Sequence, residues 1–391
     1  MGLLIIARPL GVEGYGQYAA TYALLAQTSV LLNFGLDTWL LRHGATSEMA
    51  MARSLGNAMV LKLLLFLLWY PLVVAFAPLL NPHVYPGTLV RAGALGVVFQ
   101  GTGLLTQSAL KAELRNEVTL LLQVVGGTLF CVTSLLLVNH GATVVQFAWG
   151  RTAAFALTGL LGLYLAIRNF GLNPRLADLK SVGADSFSFF LSDALAIIYL
   201  SIDLTIVAIV LGESASGLYA PAVTLVNTLF IIPNTIYTVM VPVITRAYTR
   251  GERQIRMLSV GLILGLTVLG LAMSIVVFGL ASPIIAFLYG PAFSASANVL
   301  AILSAVLFFK SINYALAAVL TAINLQRERV IAQAFVAFTN VALNLLVVQR
   351  YGILGVAIVY VLTETLLCLG YGSFVVKGSG RFAFVYPDDQ S

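Results

Sequence analysis

The stretch "RPLGVEGYGQYA", residues 8–19, has the glycines and charged residues of a water-side turn in an otherwise apolar region. The stretch "IVLGESASGLYA", residues 209–220, repeats its glycine and tyrosine spacing. A gapless shift of 201 positions aligns Leu10, Gly11, Gly16, Tyr18, Ala19 and Asn33 with Leu211, Gly212, Gly217, Tyr219, Ala220 and Asn234. An internal repeat of this kind predicts two copies of one structural unit.

A second match supports the repeat. A shift of 211 positions aligns Leu114, Glu117 and Gly141 with Leu325, Glu328 and Gly352. Both matches keep chain order and place a loop on a loop with the same sidedness. Six helices separate the copies, so both enter the membrane in the same direction, as in the parallel repeats of transporters.

The composition predicts a membrane protein. The 391 residues are 60% hydrophobic and 9% charged, with a mean hydropathy of +0.98. Soluble domains carry roughly 25% charged residues. Apolar runs of about twenty residues, long enough to cross the bilayer as helices, recur along the whole chain. We therefore expect an all-α polytopic fold.

Apolar runs between turn signals predict eleven full spans. They cover residues 17–41, 57–80, 88–110, 118–139, 143–167, 186–211, 218–244, 257–288, 296–322, 328–349 and 353–376. Residues 1–7 are too short to span. We interpret them as the outer end of a twelfth helix, largely truncated in this sequence.

Basic residues predict the orientation. Fifteen Lys and Arg residues fall in one set of predicted loops and three, Arg8, Arg91 and Arg350, in the other. The basic side is expected to be cytoplasmic and includes the C-terminus. This asymmetry accounts for the net charge of +6 without a nucleic-acid partner.

The predicted organisation is two bundles of six transmembrane helices around a central lumen. Residues 1–167 form the N-terminal bundle, with an incomplete first helix, and residues 186–378 form the C-terminal bundle. Residues 168–185 form a cytoplasmic amphipathic linker. Residues 379–391 form a cytoplasmic tail.

Polar residues inside the first span of the second half mark a candidate lumen. At 100° per residue, Ser192, Tyr199 and Asp203 fall on one stripe, and Asp193 lies beside it. Intramembrane carboxylates are costly and call for a partner or a wet cavity. A water-filled path and hydrogen bonding between helices both explain the stripe.

Other polar residues extend this hypothesis. Lys310 shares a predicted helix face with Tyr314 and Asn324, and either lines a cavity for an anion or pairs with a carboxylate such as Asp193 or Asp203. Arg151 either faces the lumen or snorkels outward. Glu364 is, with Asp193 and Asp203, a candidate for H⁺ or Na⁺ coupling, or a buried hydrogen-bonding group.

Asp37 and Lys62 lie near predicted cytoplasmic ends, where we expect them to snorkel. Cys131 and Cys368 fall inside predicted spans and predict neither a disulfide nor a metal site. No phosphate-binding glycine motif, HExxH motif or large water-side domain is present in the sequence. We expect a non-enzyme without a cofactor or metal.

Two stretches carry a family resemblance. "RPLGVEGYGQYAATYALLAQTSVLLNFGLDTWLLRHGA" resembles the start of bacterial polysaccharide exporters of the O-antigen flippase (Wzx-like) family. "FLYGPAFSASANVLAILSAVLFFKSINYALAAVLTAINLQRERVIAQAFVAFTNVALNLLVVQRYGILGVAIVYVLTE" resembles their C-terminal region. The resemblance covers nearly all of the chain. The family belongs to the multidrug/oligosaccharidyl-lipid/polysaccharide (MOP) superfamily and has no short motif that names site residues.

The resemblance implies a flippase of the bacterial inner membrane. Its substrate would be an undecaprenyl-pyrophosphate-linked oligosaccharide, moved by alternating access for surface polysaccharide synthesis, with membrane lipids around it and a polymerase or glycosyltransferases as partners. Arg151 and Lys310 could then meet phosphates, and Ser192, Tyr199, Tyr314 and Asn324 could meet sugars. The alternatives are a multidrug cation antiporter, a peptidoglycan-precursor flippase and a non-transporting membrane scaffold.

Overall fold

The protein is built from α-helices. A computed structural model describes residues 2–43, 48–250 and 254–383, and contains no strand in those ranges. Its helices are α1 (Gly2–Asn33), α2 (Leu36–His43), α3 (Glu48–Leu80), α4 (Gly87–Ala112), α5 (Asn116–Asn139), α6 (Val144–Phe170), α7 (Leu179–Leu229), α8 (Ile231–Thr249), α9 (Ile255–Gly279), α10 (Ala281–Leu288), α11 (Ser296–Ala322) and α12 (Gln326–Ala383). Short 3₁₀ turns lie at Leu176–Asp178 and Pro291–Phe293. The all-α prediction is confirmed.

Most of the helices are suited to a bilayer. Within the described residues, eight helices are long and apolar enough to cross a membrane, or nine if the bent pair Leu4–Asn33 and Leu36–His43 is one span. Their outer faces carry large apolar side chains such as Leu79, Phe287 and Phe338, each more than three-quarters exposed. Such a surface is satisfied by lipid rather than water. The chain is a multi-pass membrane protein.

The longest helix, α12, folds back on itself at a glycine. Its 58 residues would extend about 87 Å as one rod, nearly three times the hydrocarbon thickness. Gly352 has a non-helical backbone with φ 59° and ψ −152°. The amide of Asn340 donates to the hydroxyl of Thr363 over 3.2 Å, although 23 residues separate them along the chain. The two legs are therefore antiparallel, with the reversal between the predicted spans 328–349 and 353–376.

The same glycine break recurs in α1 and α7. Gly11 has φ 66° and ψ −175°, and Gly212 has φ 87° and ψ −170°. Gly141, which precedes α6, shares a positive φ with Gly352. A positive φ is open to glycine because it has no Cβ. The predicted offsets of 201 and 211 positions thus reappear as matched backbone geometry. Because helices run through these glycines, the eight long helices are fewer than the eleven predicted spans.

A second pair of turns repeats with a slightly different offset. Leu114, after α4, and Asn324, after α11, have φ of 60° and 61°. The amide of Arg115 bonds to the Leu110 carbonyl, and the amide of Leu325 bonds to the Leu320 carbonyl. The fold therefore matches Leu114 with Asn324, one residue before the Leu325 that sequence identity selected.

The two copies of the quoted stretch cross backbone to backbone. A Cβ added to Gly16 would overlap the carbonyl oxygen of Glu213, and one added to Gly217 would overlap that of Val12. Val12 and Glu213 are themselves 201 positions apart. Equivalent residues thus exchange equivalent contacts, which is the signature of a twofold relationship. The crossing is tight because both positions lack a side chain.

The chain divides into two compact units, Met1–Gly217 and Leu218–Ser391. In the first, α4 packs against α6, and one apolar core contains Leu25, Trp69 and Tyr85. In the second, α11 packs against α8, α9 and α12 and is the most buried of the long apolar helices. The predicted bundle boundaries at residues 168–185 and 378 stay a prediction.

The segment between α6 and α7 is held against α3. The amide of Asn173 bonds to the carbonyl of Ala52 over 3.1 Å, and the amide of Arg175 bonds to Oδ1 of Asn57 over 2.7 Å. Asn57 is only 2% exposed. The linker predicted at residues 168–185 is therefore attached to the first unit at its start.

Candidate functional site

Arg151 lies among aromatic rings in the first unit. Its guanidinium carbon is 3.9 Å from the ring centroid of Tyr22, 5.4 Å from that of Phe155 and 5.7 Å from that of Phe130. Cations over aromatic faces gain about 0.5–2 kcal/mol. No carboxylate among the described residues lies within ion-pair distance of Arg151. In the described residues its charge is therefore supported by aromatic π faces rather than by an ion pair with a carboxylate.

The neighbourhood of Arg151 is built by close helix packing. The hydroxyl of Thr152, the next residue, donates to the carbonyl of Ala92 on α4 over 2.8 Å. A Cβ added to Gly96 would sit 2.6 Å from that hydroxyl. Small residues at such crossings allow membrane helices to approach closely. The packing fixes α6 and therefore the position of Arg151, which is half-buried.

Lys310 and Glu364 form a buried ion pair in the second unit. Nζ of Lys310 lies 3.1 Å from Oε1 of Glu364, and these residues are 4% and 0% exposed. Nζ also donates to the hydroxyl of Tyr360 over 2.9 Å and lies 4.6 Å from the ring centroid of Phe230. The partner that the structure shows for Lys310 is Glu364, a pairing that the sequence did not suggest. This pairing offsets the cost of two charges in the membrane.

Buried amides complete the same cluster. The amide nitrogen of Asn313 donates to Oε2 of Glu364 over 2.8 Å and to its backbone carbonyl over 3.0 Å. Asn340 bonds to Thr363, and Asn344 donates to Oδ1 of Asn340 over 2.9 Å. The sequence offered a signal for these residues. Asn313 lies three positions after Lys310, and Asn340 and Asn344 lie four apart, which are same-face spacings on a helix.

The carboxylates of α7 differ in environment. Asp203 is 7% exposed, whereas Asp193 is exposed. The side chains of Ser192 and Tyr199 lie outside the part of the chain that the structure describes. Ser201 and Thr205, two residues on either side of Asp203, accept hydrogen bonds from Gln27 on α1. The side-chain amide of Gln27 donates to the Ser201 carbonyl over 2.7 Å and to the Thr205 hydroxyl over 2.8 Å. This polar contact between α1 and α7 was not predicted.

Tyr314 and Asn324, two predicted lumen residues of the second unit, do not lie on one helix face. Tyr314 is half-buried on α11, with its ring centroid 5.8 Å from that of Tyr237. Asn324 is exposed in the turn after α11, so its predicted place on the same helix face is wrong. The helix ends at Ala322, and Asn324 takes the left-handed φ that asparagine tolerates in turns.

Lys62 is buried, contrary to the expectation that it snorkels. It is 4% exposed and donates to Oδ1 of Asn33 over 3.0 Å and to the carbonyl of Gly101 over 2.7 Å. Oδ1 of Asp37 lies 4.0 Å from its Nζ. The basic group is held by three polar partners, because the helix packing places it inside the first unit.

Each unit thus contains its own polar groups. Arg151, Lys62 and Asp203 belong to Met1–Gly217, at separate places, and the Lys310–Glu364 pair belongs to Leu218–Ser391. In the described ranges, no group of three or more His, Cys, Asp or Glu side chains is placed to hold a metal ion. The hydrogen bonds, the ion pair and the aromatic contacts around these groups offset the cost of charges within a membrane.

Comparisons with known proteins agree with this architecture. The family model described as "Polysaccharide biosynthesis protein" matches residues 1–248. The chain is 24% identical over 366 residues to the probable low-salt glycan biosynthesis flippase Agl15 of Haloferax volcanii, a match that covers 92% of this chain and 75% of that protein.

Two solved structures share the fold. An inward-facing multidrug resistance transporter of the MATE family, in the MOP superfamily, superimposes with a TM-score of 0.82 at 15% identity, covering 100% of this chain and 95% of that chain. The lipid II flippase MurJ, in an inward closed conformation, superimposes with a TM-score of 0.77 at 16% identity, covering 98% and 87%. At these identities the likeness shows the fold alone.

Proposed function

The chain belongs to the polysaccharide biosynthesis protein family, and from that membership we propose that it is a flippase for a lipid-linked oligosaccharide. The family match agrees with the resemblance to polysaccharide exporters. The finer proposal is an undecaprenyl-pyrophosphate-linked glycan, such as an O-antigen unit, moved across the bacterial inner membrane by alternating access. The C-terminus is assigned to the cytoplasm. Agl15, the relative, is named as a probable glycan biosynthesis flippase.

The observation that carries this proposal is the environment of Arg151, a membrane-helix cation that packs against aromatic rings. A cation inside a membrane helix is costly unless it has a partner. Arg151 has aromatic neighbours and no ion pair with a carboxylate in the described ranges. A guanidinium presents a planar fork of donors that matches phosphate. The proposed substrate supplies such a phosphate.

Lys310 has a different role in this proposal. Because its ammonium is already paired with Glu364, it is not a first contact for a phosphate. We assign it to holding Glu364 in its ionised form until a proton or sodium ion arrives. Asp193, Asp203 and Glu364 remain the proposed ion-coupling carboxylates. Ser192, Tyr199 and Tyr314 remain proposed sugar contacts.

The rival is a multidrug cation antiporter. That function needs a carboxylate free to accept an organic cation. Glu364 already has Lys310, and a second intramembrane cation, Arg151, repels positive cargo. The Lys310–Glu364 pair and the cation Arg151 favour an anionic substrate, and we assign Asp193 and Asp203 to ion coupling rather than to cargo. A polymerase and glycosyltransferases remain the proposed partners.

The test is complementation of a strain that lacks its own glycan flippase. Arg151→Ala should reduce surface glycan at least tenfold at equal protein level, and Arg151→Lys should retain part of it. The matched control is Arg168→Ala, on the exposed end of the same helix. Export by Arg151→Ala equal to wild type would overturn the assigned role. Failure of the wild type with every glycan supplied would overturn the flippase proposal.

A further inference from the structure

Arg329, a basic residue without a role in the proposed function, lies in the second unit near the start of the first leg of α12. Nη1 of Arg329 donates to the hydroxyl of Tyr237 on α8 over 3.0 Å and to the hydroxyl of Thr321 on α11 over 2.9 Å. Its guanidinium carbon is 5.7 Å from the Tyr237 ring centroid. The side chain therefore joins three helices.

The guanidinium of Arg329 is not saturated by these contacts. An arginine carries five N–H donors. In the described ranges, Nε of Arg329 is buried and has no hydrogen bond of regular geometry, and the buried hydroxyl of Tyr371 lies beside the guanidinium. No carboxylate in the described ranges lies within ion-pair distance of the side chain. A half-buried cation with a buried unused donor favours an anionic ligand with several acceptor oxygens.

Aromatic rings flank the cation. The rings of Tyr237 and Tyr314 are 5.8 Å apart and inclined by 51°, and both side chains are half-exposed. Their faces are apolar and their hydroxyls are polar, which suits a sugar ring with C–H and O–H groups on different sides. Both tyrosine rings therefore stay partly accessible next to the Arg329 guanidinium.

The adjacent face of α8 carries exposed polar residues. Asn234 and Thr238 are both exposed, and at 100° per residue they lie about 40° apart. The large apolar residues Val239 and Val243, 59% and 42% exposed, lie about 140° and 180° from Asn234. The hydroxyl of Thr238 donates to the backbone carbonyl of Asn234, whereas the side-chain amide of Asn234 has no hydrogen bond in the described ranges. Ile231, 67% exposed, lies about 60° from Asn234, so this face of α8 is mixed, with polar groups beside an apolar side chain.

We propose that Arg329, Tyr237, Tyr314 and Asn234 form a headgroup site that binds the phosphate and first sugar of the cargo on its loading side. This inference rests on the proposed flippase function and deepens it. Arg329 binds the phosphate, the tyrosine rings pack on the sugar, and the Asn234 amide bonds to its hydroxyls. Arg329 is three residues into α12, about 5 Å of rise from the basic-side turn, at the depth of a lipid headgroup.

The site can be tested by binding to the full chain in lipid nanodiscs. The probes are polyprenyl monophosphate, inorganic pyrophosphate and polyprenol, which has no phosphate. The two phosphate probes should bind to wild type, with the lipid form tighter, and polyprenol should bind at least tenfold more weakly than its phosphate. Arg329→Ala should weaken phosphate binding about 10- to 100-fold, as expected for a lost charged hydrogen bond.

Two variants separate binding from packing. Arg327→Ala removes an equal charge two residues away, on an exposed side chain, and should bind as wild type. Tyr237→Phe removes the hydroxyl that holds Arg329 but keeps the ring, and should weaken phosphate binding less than Arg329→Ala does. Equal losses for Arg327→Ala and Arg329→Ala indicate a general charge effect and overturn the site.

The outcome also separates this site from the proposed function. Phosphate binding unchanged in Arg329→Ala, while the wild type exports glycan, overturns the headgroup site and leaves the flippase proposal intact. A wild type that binds neither phosphate probe and rescues no export overturns both. If polyprenol binds as tightly as polyprenyl monophosphate, the protein recognises only the lipid tail, and the headgroup site is overturned.

Discussion

The backbones of Gly16 and Gly217 lie against each other, with the nitrogen of Gly217 only 2.7 Å from the place of a Cβ on Gly16. The residues are equivalent positions of the internal repeat, 201 apart. The contact therefore joins equivalent backbone positions, and each of them has room for no side chain.

Alanine at this crossing should be poorly tolerated. Gly16→Ala and Gly217→Ala each place a methyl group into a backbone carbonyl, so we expect a loss of about 1–3 kcal/mol of stability, with lower export. Thermal unfolding of the purified protein measures the first effect. The control is Gly127→Ala on α5, where a Cβ meets nothing within 4 Å, and which should be neutral or more stable. Equal stability of all three variants would contradict the tight crossing.

A disulfide across the same crossing should block transport. The hydroxyl of Ser214 donates to Oε1 of Glu13 over 3.3 Å, and these positions are again equivalent. In a background with Cys131→Ala and Cys368→Ala, Glu13→Cys with Ser214→Cys should crosslink on oxidation and stop glycan export. A reductant should restore export. Either cysteine alone should leave export unchanged under oxidation. Continued export by fully crosslinked protein would show that the crossing need not open.

Removal of one partner of the Lys310–Glu364 pair should cost more than removal of both charges. Lys310→Met leaves Glu364 buried beside Asn313 with no cation, so we expect a loss of about 3–5 kcal/mol. Lys310→Met with Glu364→Gln removes both charges and keeps an acceptor for Asn313, and should recover most of that stability. Chemical unfolding in detergent gives the comparison. A single variant as stable as the double variant would contradict a net charge interaction.

The contact between α3 and the linker can be tested by hydrogen exchange. Asn57→Ala removes the acceptor of the Arg175 amide, whose exchange should become faster. Asn169→Ala is the control, because that side chain bonds only within its own helix, to the carbonyl of Leu165. An unchanged Arg175 exchange rate in Asn57→Ala would show that other contacts hold the linker.

The pattern of apolar residues predicted some spans closely, but it missed the helix breaks inside others, such as the break between α9 and α10 in the predicted span 257–288. The predicted span 296–322 coincides with α11, and the predicted start of the second half at residue 186 lies within α7. Glycine spacing was informative for a physical reason. Gly11 and Gly212 adopt a positive φ that other residues avoid, so their positions record the turns of the fold.

The environments of the charged residues were much harder to predict. Lys62 lies near a helix end, where a long side chain ordinarily reaches water, but Asn33 and Gly101 from other helices surround it. Glu364 and Lys310 are 54 positions apart, and nothing local links them. Their pairing depends on how α11 and the second leg of α12 are rotated about their axes.

The sequence by itself determined the all-α membrane class, the repeat and its turns, because hydropathy and backbone freedom are properties of each residue and its neighbours. The tertiary structure alone decided which charges are paired with an opposite charge and which are surrounded by aromatic rings. Helix rotation and packing determine these environments, since a turn of about 100° moves a side chain from lipid to a partner. Arg151, Lys310 and Arg329 are all cations at membrane or interfacial depth, and only their neighbours make them different.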